Sequence, residues 1–404
     1  MVDKRIMRRI GILDFTSSAW AAGGIFTGVL TWSLANACKG EGTEVVMLSD
    51  NEENIVANRL PVKVLHVPHP LLGPSSRTPQ SFGQGWFRRL QNGPDRSHSY
   101  NAYVMAQEHG ISVLLPPGAV PDWTAGVKTI GWIPDFQHVY LPGYFTETER
   151  VHRDTAFRTL AQRADLVLLS SKTALDHFST FAHDYERKAR VVSFPSIFAF
   201  EPPCADPSSS TRLYNLPDKF ALVANQLWVH KNHEIVVAAL SRLRRKGIRI
   251  PVVMTGLPAD HRDPLNQRLS QLLQEVAQGD LTGQVTFLGQ VHRKILIDLM
   301  RVATIIIQPS RFEGWSTVVQ DAKALGRPLL CSDIPVHREQ APDAMGFFPC
   351  DEPEVLADLL ASHWGGLNPG PNTAIEQQAL MAEREFAYRH GRSLLQVCRE
   401  VSPV

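Results

Sequence analysis

A chain of 404 residues is too long for one ordinary hydrophobic core and points to two domains. Its 41 Lys and Arg nearly cancel its 40 Asp and Glu, and the net charge of +1 supplies no global field toward nucleic acid or anionic lipid. The five cysteines, Cys38, Cys204, Cys331, Cys350 and Cys398, are far apart and odd in number, which argues against a disulfide framework or a structural zinc site and for reduced thiols in a cytosolic protein.

Lys4, Arg5, Arg8 and Arg9 lead into an apolar run, Ile10–Phe15, and no charge occurs from Ser17 to Cys38. Asp14 interrupts the apolar run at once. Gly23, Gly24, Gly28, Ser33 and Asn36 break up the uncharged stretch. The pattern predicts a first strand, a glycine loop and a buried helix rather than a signal peptide or a membrane span. Further short apolar runs follow at 45–48, 62–67, 113–115, 129–133, 166–169 and 191–194, with helical segments between them. Residues 72–100 are rich in Ser, Pro, Gly, Gln and Arg around Trp86-Phe87-Arg88-Arg89. That composition reads as a solvated insertion, or else as a membrane-surface or acceptor loop.

The Pro- and Ser-rich stretch from Pro195 to Ser210 marks a linker. The predicted layout is an N-terminal Rossmann-like domain over 1–196, a linker over 197–216 and a C-terminal Rossmann-like domain over 217–385. A C-terminal helix over 386–404 could pack back on the N-terminal domain. Apolar runs continue at 220–223, 252–254, 285–288, 304–307 and 329–331. Continuous apolar strands separated by helices imply parallel sheets covered on both faces, hence an α/β fold. Ligands of such sheets bind beyond the carboxyl ends of the strands, so both domains are expected to face a central cleft.

Two strand–turn–helix units in the second half carry the chemistry. In the first, the run Phe220–Val223 leads into Asn225, Gln226, His230, Lys231, Asn232 and His233. Lys231 can place a point charge on a phosphate at a helix start. His230 and His233 lack a neighbouring Cys or Asp cluster that would complete a metal site, and packing or lining a cleft suits them better. In the second unit, Ile305–Ile307 is followed by Glu313, Gly314, Trp315, Ser316 and Thr317, and Asp321 lies eight residues after Glu313. Ser316 and Thr317 are good helix N-caps. Val318, Val319, Ala322 and Leu325 share a helical face suited to packing on the sheet. A helix start with free amides and an acid on each side is a layout for holding a sugar nucleotide. The plain alternative is an ordinary strand–turn–helix whose acids are solvated or capping.

The segment 225–233 (NQLWVHKNH) resembles the G-R-x-x-x-x-K-G/N segment of the retaining glycosyltransferases of family 4, and 313–321 (EGWSTVVQD) resembles their E-x7-E motif. Residues 132–142 (WIPDFQHVYLP) are similar to the family's N-domain His-Asp segment, and Gly23-Gly24 to its first glycine loop. The resemblance implies a GT-B fold with two Rossmann-like domains and a nucleoside-diphosphate sugar as donor. It further implies a glycan or lipid-linked acceptor, no cofactor and no required metal. It gives Lys231 the donor diphosphate, Glu313 the sugar hydroxyls and Asp321 the ribose hydroxyls. The amides of Ser316 and Thr317 would hold phosphate oxygens, and Gln226, Gly314 and Trp315 would line the donor site. Gly23 and Gly24 would allow close backbone approach to the diphosphate, and His138 would sit near the reacting carbon.

Three departures stand out. The family's phosphate-binding Arg falls on Gln226, its second Glu on Asp321, and the His of its His-Asp pair on Pro134. A structural role for His138, bonded to a backbone carbonyl, is therefore the rival to a catalytic one. The expected activity is transfer of a sugar, with retention, to an acceptor hydroxyl in glycan or surface polysaccharide synthesis. The expected place is the cytoplasm, at the inner face of the membrane where a peripheral contact forms. The rivals are a sugar-nucleotide epimerase or phosphorylase on the same fold, and a non-catalytic GT-B partner subunit.

Overall fold

Thirteen short strands alternate with helices along the chain in a computed structural model that describes residues 8–14, 21–49, 62–67, 96–117, 120–124, 126–201, 203, 207, 212–258, 260 and 267–402. The insertion around Trp86–Arg89, part of the Pro/Ser-rich linker and Cys204 lie outside those residues. The chain divides into two compact units, one of residues 1–197 with 385–404 and one of residues 198–384.

The first unit holds a seven-stranded parallel sheet. Its strands are β1 (Arg8–Leu13), β2 (Thr43–Ser49), β3 (Lys63–His66), β4 (Ile111–Leu115), β5 (Lys128–Ile133), β6 (Leu166–Leu169) and β7 (Ala189–Val191), in the order β3-β2-β1-β4-β5-β6-β7. Helix α1 (Ala21–Ala37) follows β1, and its Phe26 ring stacks on Trp132 of β5 at 3.8 Å. Ile111, Leu114, Ile133, Val167 and Leu169 are buried against Phe136, Leu160 and Phe178. Strands so apolar along their whole length fit a sheet covered on both faces.

The second unit repeats the plan. Strands β8 (Ala221–Ala224), β9 (Val252–Thr255), β10 (Val285–Phe287), β11 (Ile305–Gln308), β12 (Leu329–Ser332) and β13 (Gly346–Phe348) form a parallel sheet in the order β10-β9-β8-β11-β12-β13. Strand order reverses between β8 and β11, where Ile305 pairs with Ala221 and Ile306 with Leu222. A crevice beyond the carboxyl ends of two such strands is where doubly wound sheets hold ligands. Helices α6 (His233–Arg245) and α9 (Thr317–Ala324) start from the loops after β8 and β11. On α6, Ile235, Val236, Ala239, Leu240 and Leu243 are buried on the sheet, which fixes that helix start over the strand ends.

The C-terminal helix α12 runs from Thr373 to Val401, starting earlier than the expected position 386. Cys38, Cys331, Cys350 and Cys398 carry free thiols. Among the described residues no helix is long and apolar enough to cross a membrane.

Candidate donor-binding site

The site is assembled at the reversal point of the second sheet. Asn225, just past β8, donates from Nδ2 to Oε1 of Gln308 at the end of β11, at 2.9 Å. Gln308 Nε2 in turn donates to Ser310 Oγ at 3.0 Å and to Glu313 Oε1 at 2.9 Å. Lys231 closes a short 3₁₀ turn, Val229–Lys231, and its Nζ donates to the same Glu313 oxygen at 2.5 Å. The next residue, Asn232, takes a left-handed conformation (φ 54°) that swings the chain into α6, and its Nδ2 donates to the Cys350 carbonyl at 2.9 Å. Asn tolerates that conformation better than most residues. The Lys231 and Glu313 side chains retain only 14% and 11% of their exposure. Such a pair is worth keeping only where further hydrogen bonds satisfy it, and Gln308 supplies one.

Burial alone would raise the Glu313 pKa, but the Lys231 ammonium and its hydrogen bond outweigh that and hold the carboxyl below its usual range. His337, fully buried on helix α10 (Pro335–Gln340), has Nδ1 3.0 Å from the Ser332 carbonyl. Burial lowers its pKa to about 4, against the pull of Glu313. His233 is lowered to about 3 by burial first, then by Arg268 and Lys231. Both imidazoles are therefore neutral near pH 7, and they add no positive charge to that of Lys231.

The start of α9 differs from expectation in one respect. Ser316 caps the helix, its Oγ accepting from the Val319 N–H at 3.3 Å. Its own N–H, expected to hold phosphate, donates instead to Gln340 Oε1 at 3.0 Å, while Gln340 Nε2 donates to the Ser316 carbonyl at 2.8 Å. The Ser316 amide is thus committed to the fold, and the first two residues of α9 are Thr317 and Val318. Gly314 and Trp315 form the bend between Glu313 and the cap. Asp321 is buried, and its Oδ2 accepts from Arg293 Nη2 at 2.6 Å.

Gln226 uses its side-chain oxygen on the Leu257 N–H, tying the loop after β8 to the loop after β9. The close approach requires Gly256, which has φ 130° and whose added Cβ would lie 2.1 Å from the Asn225 carbonyl oxygen. Among the described residues no group of three or more His, Cys, Asp or Glu is placed to hold a metal ion.

The remaining expected residues belong to the first unit. Gly23 and Gly24 are buried in the first turns of α1 rather than in a loop, with Thr27 Oγ1 bonded back to the Gly23 carbonyl at 3.0 Å. His138 sits on the short helix α3 (Gln137–Tyr140) and is 1% exposed. Its Nε2 lies 3.0 Å from Asp154 Oδ1, and its ring is flanked by Phe145, Phe157 and Phe181. Burial, then Arg153, lowers its pKa against the pull of Asp135 and Asp154. The partner is a carboxylate rather than a backbone carbonyl, and the geometry is that of an enclosed histidine.

Sequence reading did not single out Gln308, His337, Gln340 or Arg293. Gln308 directly follows an apolar run, which is itself a signal, because a buried polar side chain needs a partner, whereas His337 and Gln340 stand in the mixed stretch Pro335–Pro342 and gave none. Arg293 gave none, being one of many charged residues at a helix start.

Residues 211–363, which hold Lys231, Glu313 and Asp321, match the family model of glycosyl transferases group 1. A stretch of 184 residues is 28% identical to a D-inositol 3-phosphate glycosyltransferase of Jonesia denitrificans, covering 44% of this chain and 42% of that protein. The chain thus spans less than half the length of this curated relative. Likeness in structure extends over nearly the whole chain. Sucrose-phosphate synthase of Thermosynechococcus elongatus matches with a TM-score of 0.66 at 15% identity, over 97% of this chain and 98% of that one. HepE of Anabaena in complex with UDP-glucose matches with a TM-score of 0.65 at 14% identity, over 98% and 100%. The fold is that of the GT-B glycosyltransferases.

Proposed function

We propose that this chain is a retaining glycosyltransferase that moves a sugar from a nucleoside-diphosphate sugar to an acceptor hydroxyl. The observation that carries the reading is the Lys231–Glu313 pair at the carboxyl ends of β8 and β11. In a sugar nucleotide the bond to be broken joins the sugar's anomeric carbon to the diphosphate. A cation for the phosphate and an acceptor for the sugar hydroxyls must then lie side by side, and these two do. Lys231 has three N–H donors, of which the bond to Glu313 uses one, so the ammonium can also reach a phosphate oxygen.

In the transition state the sugar takes on oxocarbenium character while negative charge grows on the departing diphosphate. Lys231 and the amides at the start of α9 are fixed where that charge develops, so they need no reorganisation as it forms. Glu313, kept ionised by Lys231, accepts hydrogen bonds from sugar hydroxyls. The match of residues 211–363 to the group 1 model supports the reading, as does the binding of UDP-glucose by the structurally similar HepE. We take the donor to be held without a cofactor or a required metal. The acceptor is a glycan or lipid-linked hydroxyl in surface polysaccharide synthesis, at the cytoplasmic face of a membrane.

The test is a thermal-shift panel of sugar nucleotides, followed by product analysis with the donor that binds, with and without acceptor. Transfer with retained anomeric configuration, dependent on Glu313, is the expected result. Binding with isomerisation of the sugar and no transfer would replace this reading with an epimerase, and no binding by any sugar nucleotide would overturn it.

A further inference from the structure

A buried carboxylate on the C-terminal helix reaches the start of α9 through two glutamine side chains. Glu383 of α12 accepts from Gln320 Nε2 on both oxygens, at 3.1 and 2.9 Å. Gln320 Oε1 accepts from Gln340 Nε2 at 3.3 Å, and Gln340 in turn brackets Ser316. All four residues belong to the second unit, and none is more than 5% exposed. Earlier on α12, the buried Glu376 accepts from Arg301 Nε of helix α8 (Arg293–Val302) at 2.8 Å. This part of α12 is thus held to its neighbours at two buried carboxylates.

A glutamine amide has nearly the same outline in either of its two orientations, so its surroundings decide where its oxygen and nitrogen lie. A carboxylate only accepts. Facing Glu383, the Gln320 amide turns its nitrogen toward the carboxylate, which leaves its oxygen for Gln340. Gln340 then turns its nitrogen to Gln320 and to the Ser316 carbonyl, and its oxygen to the Ser316 N–H. Were Gln320 reversed, two amide nitrogens would face each other. Reversing Gln340 to relieve them would set its nitrogen against the Ser316 N–H. Burying a carboxylate costs more than burying an amide of the same size, and what it adds at position 383 is a direction for the chain. From this geometry we infer that Glu383 is a positioning residue of the donor site. It fixes the polarity of the Gln320–Gln340 chain and, through it, the cap at the start of α9. The Ser316 carbonyl also accepts from the Gln320 backbone N–H at 3.1 Å, so the group that depends on the chain is the Ser316 N–H. What the α9 start does for the donor rests on the function proposed above; the polarity of the chain does not.

Hydrogen exchange of the full-length protein, resolved at the Ser316 amide by mass spectrometry, tests the chain without any ligand. Glu383→Gln keeps the size of the side chain and lets the chain reverse. Exchange at Ser316 is expected to quicken by roughly tenfold, the scale of one lost hydrogen bond. Gln320→Glu alone sets two buried carboxylates face to face and is expected to quicken exchange at least as much. The double variant, Glu383→Gln with Gln320→Glu, puts an acceptor-only group back beside Gln340. Its exchange is expected to return to within about twofold of the wild type, a rescue that a residue merely filling space would not give. The apolar pair Glu383→Leu with Gln320→Leu cuts the chain and strands no carboxylate. It supplies the readout if the charged variants do not fold, and is expected to match Glu383→Gln. Calorimetric titration with UDP, GDP and ADP should follow the same order, with binding weakened in Glu383→Gln and recovered in the double variant. Unchanged exchange at Ser316 in Glu383→Gln or in the apolar pair would overturn the inference, as would a double variant no better than its parents. Rescue of exchange in a protein whose wild type binds none of the three nucleotides would uphold the chain and remove the donor-binding function instead.

Discussion

Lys231 Nζ donates to Glu313 Oε1 at 2.5 Å, and Gln308 Nε2 donates to the same oxygen at 2.9 Å. Two residues assigned to different parts of one donor, Lys231 and Glu313, are thus bonded directly to each other. Replacement of Lys231 by Ala is expected to weaken binding of both donor and free nucleoside diphosphate, and to lower turnover further. Glu313→Gln keeps the amide oxygen as an acceptor and releases Lys231 from a charged partner. Nucleoside diphosphate binding should therefore persist in Glu313→Gln while transfer falls by about 1–3 kcal/mol in activation free energy. Titration calorimetry and steady-state kinetics on both variants separate these effects. Loss of nucleotide binding in Glu313→Gln, or none in Lys231→Ala, would reverse the assignment.

Gln340 is expected to be a structural residue of the donor site. Its amide accepts from the Ser316 N–H and donates to the Ser316 carbonyl, bracketing the helix cap with both groups of one side chain. Gln340→Leu leaves the buried Ser316 N–H unpaired, while the Ser316 carbonyl keeps the Gln320 N–H, and the loss is roughly 1–3 kcal/mol where no water replaces the partner. Chemical denaturation should show the second unit unfolding earlier, with nucleotide affinity changed only through disorder of the α9 start. A Gln340→Leu protein of unchanged stability would show that the bracket contributes nothing.

Most of the strand plan was legible because buried parallel strands are short and apolar throughout. Leu166–Leu169 coincides with its predicted run, and β11 is shifted by one residue to include Gln308. Strand β13 was missed because Gly346, Phe347 and Phe348 give too short a run to stand out from a loop. The strand–turn–helix units around Lys231 and Glu313 were legible for the same reason as the strands: polar turns follow apolar runs. The pairing of Ser316 with Gln340 was not, since 24 residues separate them and only the packing of α10 beside α9 brings them together. Nor was the enclosure of His138, which depends on phenylalanines as far away as Phe181.

Turnover is expected to continue in EDTA. The ammonium of Lys231 and the amides of Thr317 and Val318 are assigned the charge of the leaving diphosphate, and none of these depends on a metal ion. Assays in chelator, against the same assays with added magnesium or manganese, decide it. Complete loss in EDTA, restored by either ion, would move the search to the carboxylates of the site.

Stability is expected to fall as the pH drops below neutrality, before the carboxylates begin to titrate. Burial lowers the pKa of His337 and His390 to about 4 and that of His233 to about 3, from an ordinary value of 6.5. Between those values the unfolded chain binds protons that the folded chain does not, so unfolding free energy rises with pH across the window. The contribution is fully present above about pH 6.5 and is lost as the pH falls toward 4. Glu313, whose pKa is also lowered, adds its loss only below the ordinary carboxylate value, so the upper part of the window belongs to the histidines. Each pKa unit corresponds to about 1.4 kcal/mol, so the falls from 6.5 set upper bounds of roughly 3.5 kcal/mol for His337 and His390 and roughly 5 kcal/mol for His233. His337 and His233 lie in the second unit and His390 in the first. Urea unfolding at about pH 7, 5.5 and 4.5, followed separately for each unit, should show both losing stability. His337→Gln should flatten the dependence in the second unit and leave that of the first unchanged. A stability profile that is level from pH 7 to about 4.5 would mean that these imidazoles take up protons as readily in the folded protein as in the unfolded chain.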